Sequence, residues 1–330
     1  MKSNDVVDAL RRLNLVGADE AVRLTPLTGG VSSDICVVET ASRRFCVKRA
    51  LARLKVSAVW EAPLVRNAAE AAWIRTVGAW LPNAVPTILG EDKGLGLFAM
   101  TYLPPQDNPV WKAELLKGIV DPDFAEIVGR DLALIHARSA ADPALPPAFA
   151  NDATFEQIRV EPYLRATARA HPDLAARLNA LADAMLGVKR ALVHGDVSPK
   201  NILRGVAGPV FLDAECAWFG DPAFDLAFCL NHLLLKGARH GVSRAPFGEA
   251  FRRLWEAYRA GVTWEAPETV EARAAALLPA LFLARIDGKS PVEYLTRDDE
   301  KGAVRRFARP LIAEPLPRLS AIVDLWSAAP

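Results

Sequence analysis

Leu192-Val193-His194-Gly195-Asp196-Val197-Ser198-Pro199-Lys200-Asn201-Ile202-Leu203, followed by Val210-Phe211-Leu212-Asp213-Ala214-Glu215, decides how this chain is to be read. An apolar strand, Ala191 to Val193, delivers a loop that carries an acid at 196 and an amide at 201. A second apolar strand, Pro209 to Leu212, ends on an acid at 213. Either acid alone reads more readily as a loop cap or turn residue. The joint pattern of strand, loop and strand with both spacings is far rarer.

Phosphoryl transfer calls for this inventory. One carboxylate orients an attacking hydroxyl and accepts its proton, while a second carboxylate and an amide oxygen hold Mg²⁺ against the phosphates. Asp196, Asn201 and Asp213 supply two carboxylates and an amide of this kind and are the expected catalytic residues.

The segment from His194-Gly195-Asp196 through Asn201 resembles the catalytic loop of the aminoglycoside phosphotransferase family and of related choline- and sugar-kinase-like enzymes. It has the protein-kinase loop spacing, with Gly195 where most protein kinases carry Arg. Asp213-Ala214-Glu215 stands in the place of the metal-binding Asp-Phe-Gly. The resemblance implies Asp196 as base, Asn201 and Asp213 as metal ligands, and Glu215 as a supporting or second-metal group, unless Glu215 is a simple surface acid. Gly220-Asp221-Pro222-Ala223-Phe224-Asp225-Leu226-Ala227 also matches. There Asp221 reads as a helix cap. Asp225, costly to bury alone, is implied to brace the catalytic-loop backbone, and His194 to hold that loop.

Outward from this segment, the first hundred residues read as short strands with one helix among them. Val22 to Leu27, Ile35 to Thr40, Arg44 to Arg49, Val85 to Leu89 and Leu97 to Tyr102 are strand-like. Pro63 opens a helical stretch to Trp80, with Ala69, Ala72, Trp73 and Val77 on one face. Leu103-Pro104-Pro105 breaks the pattern. Beyond it come apolar-periodic helices over 124–139 and 173–188, a nearly all-apolar helix from Asp221 to Lys236, and a buried helix around 274–284. The expected fold is α+β and bilobal, resembling the protein kinases. A small antiparallel-sheet lobe with one helix (1–102) would bind nucleotide; a larger helical lobe (103–330) would carry the catalytic loop and acceptor pocket.

The first lobe supplies the nucleotide half. Thr28-Gly29-Gly30-Val31-Ser32-Ser33 joins two strands, so Gly29, Gly30, Ser32 and Ser33 are expected over the phosphates. Such a glycine pair is equally a plain hairpin turn. Lys48 ends the third strand, where kinases keep the lysine of the α/β-phosphates, and Glu70 is its expected acidic partner in preference to Glu61. Adenine would rest near Met100 and Tyr102 at the lobe junction.

The acceptor is less legible. Arg285-Ile286-Asp287-Gly288-Lys289-Ser290-Pro291 sets three charges around a turn. It reads either as an acceptor contact through Arg285, Asp287 and Lys289 or as a helix C-terminus capped by Gly288. Glu161, Tyr163, Asn231 and His232 are further pocket candidates, and Trp218 a possible wall. From Asn231 to Pro330 there are 12 acidic and 15 basic residues, so a polycationic aminoglycoside finds no acidic excess.

Composition bounds the rest. With 40 basic and 39 acidic residues the formal charge is +1, which suggests neither nucleic-acid nor membrane partners held by bulk charge. The basic run from Arg43 to Lys55 reads as a solvated edge. The opening segment is polar and lacks a signal-peptide core. The four cysteines, Cys36, Cys46, Cys216 and Cys229, lack metal or redox spacing and suit reduced core thiols in a cytoplasm. The expectation is a cytoplasmic, ATP- and Mg²⁺-dependent kinase of a small hydroxylated molecule. A catalytically silent nucleotide-binding module is the alternative. A protein kinase is the lesser one, because no Ala-Pro-Glu segment follows Asp213.

Overall fold

The computed structural model describes residues 3–27, 33–50 and 66–329. A five-stranded antiparallel sheet is ordered β1-β2-β3-β5-β4, from β1 (Arg23–Pro26), β2 (Ser33–Glu39), β3 (Arg44–Ala50), β4 (Ile88–Asp92) and β5 (Leu97–Thr101). Alternation along a strand sends successive side chains to opposite faces. In β3, Phe45 and Val47 accordingly join Val38, Leu97 and Ala99 in one apolar cluster. Lys48, opposite Ile35 on β2 and Phe98 on β5, has the other parity.

The Phe45 side of the sheet is closed by Val6 and Leu10 of α1 (Ser3–Arg12). That helix is a departure from the single helix expected in this half of the chain. Its apolar positions are few, and it is held by tertiary packing of one narrow stripe. The opposite side receives α2 (Arg66–Gly78), which buries Glu70, Ala71, Trp73, Ile74 and Val77. Trp73 and Val77 lie on the expected face, whereas Ala69 and Ala72 flank it. The expected start at Pro63, and Glu61, lie outside the described residues. Strand β4 begins three residues later than the apolar run at Val85 suggested, because Val85 packs instead into the main core.

The remainder is mainly helical: α3 (Trp111–Leu116), α4 (Pro122–Ala140), α5 (Leu145–Ala148), α6 (Asp152–Phe155), a π-helix over Glu156–Arg165, α7 (Ala166–Ala170), α8 (Ala175–Gly187), α9 (Ala223–Gly237), α10 (Ala245–Ala260), α11 (Pro267–Asp287), α12 (Asp298–Ala313) and α13 (Leu319–Ala328). Helix α9 is buried over its whole length, as its all-round apolarity requires. Two small antiparallel ribbons carry the loops of interest: β6 (Ala191–Val193) with β9 (Trp218–Gly220), and β7 (Ile202–Gly205) with β8 (Gly208–Phe211). Strands β7 and β9 were not anticipated, being too short to carry a period. Among the described residues, no helix is long and apolar enough to cross a membrane, and all four cysteines are buried and outside any disulfide. Arg43 and Arg44 are exposed, as the solvated-edge reading requires, but Lys48 in the same run is not.

Helices α4 and α10 cross where Gly129 lets the backbones touch. A Cβ built there would lie 2.2 Å from the Leu254 carbonyl oxygen. Gly129→Ala must push the two helices apart, and is expected to destabilise the fold by about 1–3 kcal/mol, read as a lowered midpoint in urea unfolding.

Candidate active site

Lys48 sits where the sheet meets the helical part. Its Nζ lies 2.6 Å from Glu70 Oε2 on α2 and 2.5 Å from Asp213 Oδ1 after β8, and its side chain is 2% exposed. Burial alone would strip its charge, but the Asp213 and Glu70 carboxylates outweigh it and hold the ammonium protonated. Asp213 is pushed up by burial, yet Lys48, Lys200 and Arg159 bring its carboxyl far below the usual range. Glu70, deep beside the other acids, is raised, chiefly by burial. Asp213 adopts φ +67°, a left-handed conformation uncommon for a side-chain-bearing residue and typical of functional turns. Glu215 is buried and paired with Arg66 of α2 at 3.3 Å, so it is not a surface acid.

The catalytic-loop segment is held chiefly by bonds to its backbone. Asp225, inside α9, accepts the His194 N–H at 2.7 Å and the Gly195 N–H at 2.8 Å, one on each oxygen. His136 approaches the same carboxylate at 3.3 Å. His194 Nδ1 accepts the Asp196 N–H at 3.1 Å, which leaves Nε2 to donate to the Leu212 carbonyl at 3.1 Å. Both ring nitrogens are thereby used, and burial holds the imidazole neutral. His194 thus ties the loop to the strand that delivers Asp213. Gly195 has φ +80°, and a Cβ on it would meet Cys216 at 2.7 Å, so both conformation and space demand glycine.

Asp196 itself is 3% exposed. Its Oδ2 faces Arg159 at 2.9 Å and Lys200 at 3.1 Å. Its Oδ1 is buried and has no hydrogen-bond partner among the described residues. Burial raises the carboxyl, but Lys200 and Arg159 outweigh it and keep it below its ordinary value. The result is an ionised carboxylate with one oxygen anchored and one free to accept. Arg159 comes from the π-helix, where it also donates to the Gly195 carbonyl. π-Helical turns recur at functional sites. Nothing in the sequence pattern singled out Arg159 beyond a charge between two apolar residues. Lys200 lay in the quoted loop without an assigned role.

Asn201 Nδ2 donates to the Asp196 carbonyl at 3.1 Å, which leaves its Oδ1 as the acceptor end. An amide oxygen and an ionised Asp213 form a hard-oxygen donor pair that suits Mg²⁺. On the nucleotide side, Ser33 is buried at the start of β2, Met100 is half-buried in β5, and Arg44 lies 4.4 Å from the centre of the Tyr102 ring. Gly29, Gly30 and Ser32 lie outside the described residues.

The remaining pocket candidates divide. Arg285 Nη1 donates to Tyr163 Oη at 3.1 Å and to Ser290 Oγ at 2.9 Å. Tyr163, Phe228 and His232 form one aromatic row with ring spacings of 5.5 and 5.3 Å. Asp287 instead pairs with His171 and Arg305, while Lys289 pairs with Glu161. Asp287 and Lys289 thus make ion pairs of their own, so Asp287, Lys289 and Glu161 do not join Arg285. The Gly288 N–H returns to the Ala284 carbonyl, as a helix end should. Asn231 donates back to the Phe228 carbonyl within α9. Trp218 is fully buried and stacked on Phe155 at 4.2 Å; it belongs to the core and walls no pocket. Asp221 accepts the Ala223 N–H at 3.0 Å and pairs with Arg273 at 2.9 Å.

Asp225→Asn replaces one of two accepting oxygens with a donor that faces a backbone N–H. A loss of about 1.5–3 kcal/mol is expected, with faster amide hydrogen exchange at Gly195 than in the parent protein.

The comparisons agree with this geometry. The Phosphotransferase enzyme family (APH) matches residues 23–268. Methylthioribose kinase of Erwinia tasmaniensis is 30% identical over 74% of this chain and 70% of its own length. That of Pectobacterium carotovorum is 28% identical over 60% and 55% respectively. The alignments thus span from about half to just over two thirds of these curated relatives. Among solved structures, an amicoumacin kinase in complex with AMP-PNP, Ca²⁺ and Ami has a TM-score of 0.63 at 14% identity, covering 98% of this chain and 97% of its own. Choline kinase from Cryptosporidium parvum has a TM-score of 0.58 at 10% identity, covering 98% and 100%; at such identities the likeness is one of fold. With its sheet, its braced loop and its Lys48–Glu70–Asp213 triad, this chain belongs to the phosphotransferase enzyme family.

Proposed function

We propose that this protein transfers the γ-phosphoryl group of ATP, with Mg²⁺, to a hydroxyl of a small polar molecule. The observation that carries the reading is the contact of Lys48 with both Glu70 and Asp213, because it joins the nucleotide half of the site to the metal half. In this reading residues 1–102 hold the nucleotide, and residues 103–330 hold the catalytic loop and the acceptor.

Lys48 orients the α- and β-phosphates, and Glu70 fixes Lys48 in turn. Asn201 Oδ1 and Asp213 would hold Mg²⁺, which when bound neutralises charge on the phosphates. Asp196 Oδ1, the free oxygen, accepts the hydrogen bond of the acceptor hydroxyl and then its proton. Arg159 and Lys200 keep that carboxylate ionised and aimed. Most of the rate would come from positioning and from fixed charges. The buried cysteines, none of them in a disulfide, support the reading of a reducing, cytoplasmic compartment. The methylthioribose kinases among the relatives support a sugar-like hydroxyl compound as acceptor.

Asp196→Ala is expected to lower turnover by about 10²–10⁴-fold in acceptor-stimulated ADP release, with nucleotide affinity kept. Turnover that survives this change refutes the assigned base. Arg159→Met is expected to lower kcat by roughly tenfold to a hundredfold while the KM for ATP stays near the parent value. A change in the KM for ATP alone would assign Arg159 to the nucleotide instead.

A further inference from the structure

Beside the catalytic loop the helical part buries an excess of positive charge that the roles above leave unused. Lys236 of α9 is 1% exposed, and among the described residues its ammonium bonds only to the His232 carbonyl, at 3.3 Å. Arg285, at the end of α11, is 8% exposed, and its Nε is buried without a hydrogen-bond partner among the described residues. The same holds for His232 Nδ1 and Tyr294 Oη. Lys112 of α3 and Lys236 lie 5.9 and 5.1 Å from the centre of one ring, that of Tyr294.

Among the described residues, Glu293 is the one carboxylate paired with Lys236, Arg285 or Lys112; it pairs with Lys112 and is itself mostly exposed. Burial, followed by the Lys112 and Arg285 charges, depresses Lys236 to about 7. Burial and the charges of Lys236, Arg285, Lys200 and Lys112 hold His232 neutral. The cluster adjoins the reacting groups. Lys200 contacts Asp196, Tyr163 binds Arg285 from the same π-helix that supplies Arg159, and α3 packs on the Pro199–Asn201 turn. Its outer members, Lys200 and Lys112, remain partly exposed, with side chains 46% and 27% accessible.

Unpaired buried cations destabilise a fold unless something neutralises them. Resting on the kinase reading above, we propose that the acceptor carries, besides its hydroxyl, a carboxylate or phosphate group bound by Lys236, Arg285 and Lys112 beside the catalytic loop. A neutral sugar gains nothing from these charges, and an aminoglycoside or choline is repelled by them.

The test uses the full chain saturated with Mg²⁺ and AMP-PNP, so that the nucleotide's own phosphate site is filled. Gluconate, sorbitol and glucamine offer one six-carbon polyol chain ending in an acid, an alcohol or an amine; glycerol 3-phosphate and glycerol form the phosphate arm. Binding is read by calorimetry and by the thermal midpoint. Gluconate or glycerol 3-phosphate should bind, and which of them does so distinguishes carboxylate from phosphate ester; sorbitol, glycerol and glucamine should not. In Lys236→Met the affinity for the anion should fall by about tenfold or more, with AMP-PNP affinity unchanged. The same variant, without ligands, should melt about 2–4 °C higher, because an apolar side chain of similar length replaces a buried cation.

An equal or stronger response to sorbitol or glucamine overturns the proposal. So does silence toward both anions, or an anion response that survives Lys236→Met. The kinase reading fails on a different measurement, the absence of Mg²⁺-dependent nucleotide binding, so the two failures are distinguishable.

Discussion

The ion pairs of Lys48 are the constraint around which this molecule is arranged. One ammonium, nearly inaccessible to water, contacts carboxylates from two elements distant in sequence, α2 and the turn after β8. Taking those charges out of water costs several kcal/mol per ion, and the mutual attraction only repays it when the geometry is good. Such a triad is a poor way to stabilise a fold. It is a good way to fix where a sheet stands relative to a helical body, since breaking one contact leaves a buried charge unpaired. The positive φ of Asp213 belongs to the same arrangement, with local backbone strain accepted where the carboxylate has to point at Lys48.

Around that triad the loop backbone and the Asp196 carboxylate are held by different means. The loop is fixed through its backbone, by Asp225 and by a neutral His194 with both nitrogens engaged. Neither residue need change its charge as the reaction proceeds. Asp196 is held through its side chain, by Arg159 and Lys200 on a single oxygen. This separation leaves Asp196 Oδ1 free without leaving the carboxylate loose. The cations continue outward into Arg285, Lys236 and Lys112, so the charge on this side of Asp196 is opposite to what a polycation would need.

Much of this was legible in the sequence, for identifiable reasons. The placement of Asp196, Asn201, Asp213 and Asp225 together rests on a short stretch in which strand, loop and helix follow one another directly, so spacing along the chain nearly equals spacing in space. Strands β2, β3 and β5 and helices α4, α8 and α9 announced themselves by apolar runs or periodicity. Helix α1 and the short strands β7 and β9 did not, because their stability comes from packing against neighbours rather than from their own pattern. Asp287 and Lys289 drew notice for being charged beside Arg285. The end of α11 instead turns Arg285 inward and leaves them paired with His171, Arg305 and Glu161.

The sequence by itself determined the reaction class, because the atoms that phosphoryl transfer requires lie on one nearly continuous segment whose local geometry is fixed by Gly195 and by strand ends. Only the tertiary structure decided what surrounds those atoms. Arg159 lies on a π-helix, Arg66 and Glu70 on a helix of the other half of the chain, and Lys112, Lys236 and Arg285 on three separate helices. Whether such charges meet or diverge depends on how helices rotate and cross when they bury their apolar faces. That is set by packing summed over the whole core, and no local run of residues encodes it.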